Sequence, residues 1–224
     1  METLGPISSV VALSMGLAWA SGINLYAALL TLGILANTGN IVLPASLQVV
    51  ADPLVIGAAG LMYAVEFFAD KIPGVDSGWD VVQSFVRIPG GAILAAAAVG
   101  EISPAAEIAA GLLGGGLAAA THATKAGARV IINTSPEPVS NWSASLGEDV
   151  AVIGGVWAAL HHPWLFLGLL LAFILLMVWL LPRIWRGIKA MAGKIATLFG
   201  RQPQSRALPD LSDTTAREPG DDAQ

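Results

Sequence analysis

The residues best able to do chemistry are concentrated between Glu66 and Asp80, in a run that reads Glu-Phe-Phe-Ala-Asp-Lys-Ile-Pro-Gly-Val-Asp-Ser-Gly-Trp-Asp. The run contains four carboxylates and a lysine around a Pro-Gly turn. Carboxylates beside a cationic group can form ion pairs, carry protons or bind other cations. Glu66 and Asp70 are four residues apart and project from one face of a helix, and Asp80, Ser84 and Arg87 share a face in the same way.

A second polar stretch occupies residues 121–149. His122, Lys125 and Arg129 follow one another at spacings of three and four, which places their side chains on one helical face. We expect Lys125 and Arg129 to pair with Glu66 and Asp70, across the second and fourth helices. The next predicted helix carries three further polar side chains, those of Asn141, Glu148 and Asp149.

The composition indicates an integral membrane protein. The chain has 224 residues, of which 55% are hydrophobic and 12% charged, with a mean hydropathy of +0.70. Soluble domains carry about 25% charged residues, and a membrane helix needs about 20 apolar residues. A formal net charge of −5 gives nucleic-acid binding no support. Cysteine is absent, which excludes disulfides, thiolate catalysis and Cys-ligated metals.

The sequence predicts an all-α, polytopic membrane helix bundle of about six spans, with polar helical-hairpin turns at 70–80 and 133–141. The first span, 7–36, precedes the first basic residue of the chain, Lys71. A signal peptide has a basic start, so we expect this span to be retained. The other spans are expected at 53–69, 76–100, 105–132, 142–162 and 164–181, with a polar connection at 37–52.

The first span is interrupted near its middle by Ser21-Gly22-Ile23-Asn24. These residues could let a neighbouring helix approach closely, or they could mark a broken helix whose backbone lines a cavity, as in transporters. Gly16-Leu-Ala-Trp-Ala20 recurs as Gly116-Leu-Ala-Ala-Ala120 at the starts of the first and fourth spans. Three helices per half would then form a 3+3 inverted repeat, although such matches also arise by chance in Ala- and Leu-rich sequence.

Beyond Pro182 the composition changes. We divide the chain into a membrane domain, 1–182, a basic juxtamembrane segment, 183–202, and a disordered cytoplasmic tail, 203–224. Basic residues that flank a span stay in the cytoplasm, so the C-terminus is expected inside. Six spans then place the N-terminus inside as well, and the polar hairpin turns on the cytoplasmic side, where they can meet.

The polar zone holds more acid than base. Seven carboxylates (Glu66, Asp70, Asp76, Asp80, Glu137, Glu148, Asp149) face four bases (Lys71, Arg87, Lys125, Arg129), so about three carboxylates have no basic partner. We expect Asp76 and Glu137 at the rim or as helix caps, and Glu66 and Asp149 to be available for proton or cation work. The candidate substrate- or ion-binding residues are Asn24, Glu66, Asp70, Asp80, Arg87, His122, Lys125, Arg129, Asn141, Glu148 and Asp149.

Three functions fit these residues. A transporter- or channel-like polar core, coupled to protons or cations, would use the surplus acid, with a small solute or ion and the lipid bilayer as partners. A structural or assembly protein would use ion pairs only to hold the bundle together, and a homo-oligomer is open in either case. The third, an enzyme acting on lipid, lacks a metal, nucleophile or nucleotide motif. We therefore expect no catalysis, no cofactor and no metal.

Four strings in the chain resemble a bacterial multi-pass membrane family catalogued as a domain of unknown function. They are Ala20-Ser-Gly-Ile-Asn-Leu-Tyr26, Glu66 to Asp76, His122 with Lys125, and Ser135-Pro-Glu-Pro-Val-Ser-Asn141. The resemblance covers about residues 5–180. It implies an all-helical protein of the bacterial inner membrane and supplies no activity.

The predicted topology places both termini in the cytoplasm and residues 37–52 and 161–163 outside. Because the chain lacks Cys, a single introduced thiol reports the side on which it lies. We expect Ala207→Cys to resist an impermeant thiol reagent in intact cells and to react after lysis, whereas Asn40→Cys should react in intact cells. Labelling of Ala207→Cys from outside would contradict the six-span topology.

Overall fold

The computed structural model describes residues 4–72, 74–100, 102–133 and 138–198. Within these ranges the protein is all helical, as predicted, with six α-helices, one 3₁₀ helix at Ala45–Ala51 and no strand. The α-helices are α1 Leu4–Asn37, α2 Pro53–Ala69, α3 Val75–Val99, α4 Pro104–Ile132, α5 Pro138–His161 and α6 Pro163–Leu198.

Several of these helices can cross a membrane. In the part of the chain that the structure describes, Ile7–Asn37, Val75–Val99 and Pro163–Gly187 are long and apolar enough to do so. A fourth candidate is the 3₁₀ helix together with α2, which meet at a bend of 64°. Helices α4 and α5, of 29 and 24 residues, are not among these candidates. The helical membrane bundle is therefore supported, while the number of six spans and the inverted repeat stay predictions.

Helix α1 lies at the centre of the bundle. It packs against α2, α3, α4 and α5, and 67% of its most apolar window is buried inside the protein, against 17% for α6. Leu17 and Leu32 are among its fully buried side chains. The long apolar run near the N-terminus thus faces other helices more than lipid.

Close contact between α1 and α4 depends on a glycine. A Cβ atom at Gly22 would lie 2.5 Å from the carbonyl oxygen of Ala118 and 2.7 Å from Cβ of Thr121. Both distances are well inside van der Waals contact, so only glycine fits. The close-packing interpretation of the Ser-Gly interruption therefore holds at this residue.

The break in α1 lies two residues further on. Asn24 has φ −151° and ψ 95°, outside the helical region, so the predicted broken first helix is confirmed. The side-chain oxygen of Asn24 accepts a hydrogen bond from the Ala27 backbone N–H at 2.9 Å. Asn24 therefore acts as the N-cap of the second half of the helix, while Gly22 permits the packing. Both interpretations of the interruption apply, at neighbouring residues.

The connection at 37–52 differs from the polar loop that we predicted. Its 3₁₀ helix, Ala45–Ala51, buries Leu47 and Val50, and Leu43 just before it is buried in the same cluster. These apolar residues recur at spacings of four and three, a helical period that the flanking Asn, Thr and Pro residues obscured. Asp52 then caps α2 by accepting from the Leu54 N–H at 2.8 Å.

The last helix is longer than the sixth span predicted at 164–181, and the division of the chain at 182 and 202 stays a prediction. Helix α6 continues through Pro182 to Leu198 and so includes most of the predicted juxtamembrane segment. Internal packing divides the chain into two units, Met1–Lys189 and Ala190–Gln224. The predicted tail, 203–224, lies outside the described residues. Helix α5 begins at Pro138, four residues before the predicted start at Trp142.

The contact at Gly22 generates a prediction about stability. Gly22→Ala should separate α1 from α4 and lower the free energy of unfolding by about 1–3 kcal/mol, the usual cost of overpacking. Gly57→Ala in α2 is the matched control, because a Cβ atom there meets nothing within 4 Å. Thermal unfolding in detergent measures both. Equal stability of the two variants would contradict the close contact.

Candidate functional site

Seven buried charged residues from four helices meet inside the bundle. We call them the charge cluster: Glu66, Asp70, Asp80, Arg87, Lys125, Arg129 and Glu148. Glu66 and Asp70 lie at the end of α2, and Asp80 and Arg87 lie two turns apart on α3. Lys125 and Arg129 lie on α4, and Glu148 lies on α5. The side chain of Glu148 is 21% exposed and the other six are 4% exposed or less.

Lys125 stands at the middle of the charge cluster. Its Nζ lies 2.9 Å from Asp70 Oδ2, 3.2 Å from Glu148 Oε2, 3.7 Å from Glu66 Oε1 and 3.9 Å from Asp80 Oδ1. The ammonium also donates to the backbone oxygen of Ile23 at 3.1 Å. That carbonyl ends the first half of α1, so Lys125 binds the helix break and the carboxylates together.

Arg129 is held by Glu148 and Asp70. Its Nε and Nη2 donate to the two oxygens of Glu148 at 3.2 and 2.7 Å, a bidentate pair. Nη2 also lies 3.6 Å from Asp70 Oδ2, and Nη1 donates to the Asp70 backbone oxygen at 3.1 Å. Asn141 accepts from Nη1 at 3.4 Å through its side-chain oxygen. The pairing of Glu66 and Asp70 with Lys125 and Arg129 that the sequence predicts is present, except that Glu66 contacts Lys125 and Arg87.

Arg87 holds the two remaining carboxylates. It donates to Glu66 Oε1 at 2.7 Å and to Asp80 Oδ1 at 3.0 Å. The charge cluster thus contains four carboxylates and three bases, and it carries a charge of −1 when every group is ionised.

Lys71, the fourth base of the polar zone, stands apart from these ion pairs. Its Nζ donates to the Phe67 backbone oxygen at 3.0 Å and lies 2.9 Å from the centroid of the Phe67 ring. Lys71 follows the last residue of α2, in the turn. Burial there lowers the pKa of Lys71 below its ordinary value.

Asp149 lies at the helix break and has no basic partner among the described residues. Its Oδ1 accepts from the Asn24 amide at 3.2 Å and its Oδ2 from the Tyr63 hydroxyl at 3.1 Å. Sequence reasoning missed Tyr63. The signal was its position three residues before Glu66, which places both on one face of α2.

His122 contacts the charge cluster in one defined tautomer. Its Nδ1 lies 3.3 Å from Nη1 of Arg87 and its Nε2 lies 2.8 Å from Oγ of Ser84. A guanidinium can only donate, so Nδ1 accepts and the imidazole proton resides on Nε2. His122 is therefore neutral in this arrangement and adds no positive charge to the cluster.

The two polar hairpin turns meet, as predicted. The Asn133 amide, at the end of α4, donates to both oxygens of Asp76 at 2.8 and 2.9 Å. Asp76 also accepts from the Ser77 and Gly74 N–H groups. It lies in the first turn of α3, whose N-cap is Gly74, so Asp76 is not the helix cap that we expected. It is also fully buried and not at a rim. Sequence reasoning missed Asn133, and Glu137 lies outside the described residues.

Of the eleven candidate residues predicted from the sequence, seven form the charge cluster, and His122 and Asn141 contact it. The other two, Asn24 and Asp149, form a separate group with Tyr63. Across the described ranges, no three His, Asp or Glu side chains are placed to hold a metal ion. The arrangement can pair charges, exchange protons or bind an ion or a polar solute.

A bundle of apolar helices that encloses buried ion pairs defines a helical integral membrane protein. The chain belongs to the family described as "Domain of unknown function (DUF4126)", whose family model matches residues 11–183. That range includes every residue of the charge cluster and confirms the resemblance noted in the sequence. Comparison with curated proteins and with solved structures found no match.

The contacts of Lys125 generate a test by double-mutant cycle. Lys125→Met removes the ammonium that its neighbours share and should lower the free energy of unfolding by about 3–5 kcal/mol, because buried carboxylates lose their partner. Asp70→Asn in the same chain should recover part of this loss, because it removes one of the stranded charges. Denaturant unfolding in detergent measures each variant.

Lys71→Met is the matched control. It removes the same charge from the residue next to Asp70. Because Lys71 makes no ion pair in the described part of the chain, the loss in free energy of unfolding should be much smaller. Simple additivity of Lys125→Met and Asp70→Asn would contradict the pairing.

Proposed function

We propose that this protein is a proton- or cation-coupled carrier of a small solute. The observation that supports it is Asp149, a buried carboxylate that lies at the break in α1 with only neutral partners, Asn24 and Tyr63. A charge at the bilayer centre costs about 2.5–3.5 kcal/mol even on insertion scales. An asparagine would make similar hydrogen bonds without that cost, so a retained carboxylate indicates a group that binds an ion or changes its charge.

The helix break supports the same function. At Asn24 the first half of α1 ends and the second half begins inside the bundle, and discontinuous helices of this kind form the substrate and ion sites of many transporters. Lys125 binds the carbonyl of Ile23, while Asp149 binds the side chain of Asn24. A solute or ion that competes for either contact would change the charge balance of the cluster.

A scaffold function is the second candidate, and one observation favours it. The side chains of Lys125 and Arg129 join α4 to α2, α3 and α5 through ion pairs. Such pairs could serve only to fix the helices in place. The two functions differ at Asp149, which forms no ion pair with any residue that the structure describes and which a scaffold would not need as a charge.

We also propose that the protein resides in the bacterial inner membrane with both termini in the cytoplasm. We propose no catalytic role, since an enzyme acting on lipid is the weakest of the three functions. The orientation is supported by the C-terminal part of α6, where Arg183, Arg186 and Lys189 are exposed directly after the apolar part of the helix. Basic residues in this place favour the cytoplasmic side.

Asp149→Asn tests the carrier function. The introduced amide can accept from Asn24 through its oxygen and donate to the Tyr63 hydroxyl through its nitrogen, so expression and melting temperature should stay near those of the wild type. Solute-dependent proton or cation flux in proteoliposomes should be abolished. A panel of ions and metabolites, screened first by ligand-dependent stabilisation of the purified protein, supplies the solute.

Asp52→Asn is the control, since Asn caps a helix as well as Asp does and Asp52 is exposed at the start of α2. It should retain both stability and flux. Absence of flux and of ligand stabilisation in the wild type would leave the scaffold function, as would an Asp149→Asn variant that loses only stability.

A further inference from the structure

The charge cluster divides into a balanced and an unbalanced half. Asp70 and Glu148 share Arg129, and they are also the two carboxylates nearest to Lys125, at 2.9 and 3.2 Å. That half has two acids and two bases. Glu66 and Asp80 share Arg87, while Lys125 is 3.7 and 3.9 Å away from them. The surplus negative charge of the cluster therefore falls on Glu66 and Asp80.

The free oxygens of this acidic pair lie in the interior. Glu66 Oε2 and Asp80 Oδ2 are both buried, and neither has a hydrogen-bond partner in the described part of the protein. The two side chains are 0% and 1% exposed. Asp70 Oδ1 is also buried without a hydrogen-bond partner, but the other oxygen of Asp70 lies 2.9 Å from Lys125 and 3.6 Å from Arg129. Both oxygens of Glu148 bind Arg129. A buried carboxylate oxygen without a partner is costly when charged, and a proton removes most of that cost.

The groups that face the pair do not supply the missing positive charge. Arg87 from α3 and Lys125 from α4 are already counted. His122 from α4 is neutral, since it accepts from Arg87 and donates to Ser84. Arg129 from α4 is paired with Glu148 and Asp70, and Asp70 adds negative charge. Tyr63 on α2 is bound to Asp149.

A metal cation fits this place poorly. The Lys125 ammonium and the Arg87 guanidinium already contact both carboxylates. Both groups would repel a further cation. The described residues also contain no group of three His, Asp or Glu side chains placed to hold a metal ion. A proton needs only one oxygen atom. Two carboxylates that share a site commonly hold one proton between them, because both cannot remain charged at close range.

We propose that Glu66 and Asp80 share one proton at neutral pH and that this proton is the coupling ion. The second half of this inference rests on the carrier function proposed above. In the exchange, the carboxylic O–H of the pair releases its proton to water and leaves a carboxylate, and rebinding reverses the step. The balanced half of the cluster takes no part in this step and keeps α2, α4 and α5 together.

Infrared spectroscopy of the purified protein in lipid nanodiscs tests the shared proton. At neutral pH the wild type should show a carboxylic-acid C=O absorption that shifts in D₂O and does not change when sodium replaces potassium. Glu66→Gln and Asp80→Asn should each remove it. Each amide resembles the neutral acid, so both variants should fold with melting temperatures near that of the wild type, and either one alone suffices for the test.

Asp52→Asn, at an exposed residue outside the charge cluster, is the control and should retain the absorption. Absence of the band in the wild type, its loss in Asp52→Asn, or its retention in both Glu66→Gln and Asp80→Asn would overturn the shared proton. Loss of the band on addition of sodium would indicate a bound metal cation in its place.

The measurement needs no transport, so it is independent of the carrier function. If the wild type shows the infrared band but no flux, the carrier function is contradicted and the shared proton stands. If it shows flux but no band, the shared proton is contradicted and the carrier function stands. With both present, proton flux should be lost in Glu66→Gln and retained in Asp52→Asn.

Discussion

Charge inside an apolar bundle must be paired, and in this protein one ammonium group, that of Lys125, contacts all four carboxylates of the charge cluster. Lys125 contacts carboxylates from α2, α3 and α5 and a backbone carbonyl of α1, so one side chain of α4 touches the four other helices of the bundle core. A buried ion pair adds little net stability compared with apolar packing, but the loss of one partner is expensive. The helices are therefore fixed relative to one another by the cost of separating these charges, in addition to the fit of their small residues.

The sequence predicted the parts of this arrangement in which few alternatives exist. The second helix was expected at 53–69 and lies at Pro53–Ala69. The charged partners were also predictable, because a chain with so few charges offers each buried group only a handful of partners. Helical spacing then selected the faces, as for Glu66 with Asp70 and Lys125 with Arg129. The break at Asn24 was visible because a polar residue stood in the middle of a long apolar run.

Other features could not be predicted, because they depend on how helices are rotated against one another. Hydropathy does not distinguish burial in lipid from burial in protein, so the central position of α1 was hidden, as was the buried 3₁₀ helix at Ala45–Ala51. The contacts Tyr63–Asp149 and Asn133–Asp76 join residues far apart in sequence. Lys125 Nζ lies 2.9 Å from Asp70 and 3.9 Å from Asp80. A difference this small depends on how the helices are rotated and cannot be read from the sequence.

The central position of α1 has a consequence for biogenesis. Helix α1 is synthesised before the helices against which it packs, so its polar groups find partners only late: Ser14 binds a carbonyl of α3, Lys125 of α4 binds the end of its first half, and Asn24 binds Asp149 of α5. Until α4 has been inserted, the Ile23 carbonyl lacks Lys125, and until α5 has been inserted, Asn24 lacks Asp149. Insertion machinery or lipid must therefore shield this helix until α4 and α5 have joined it.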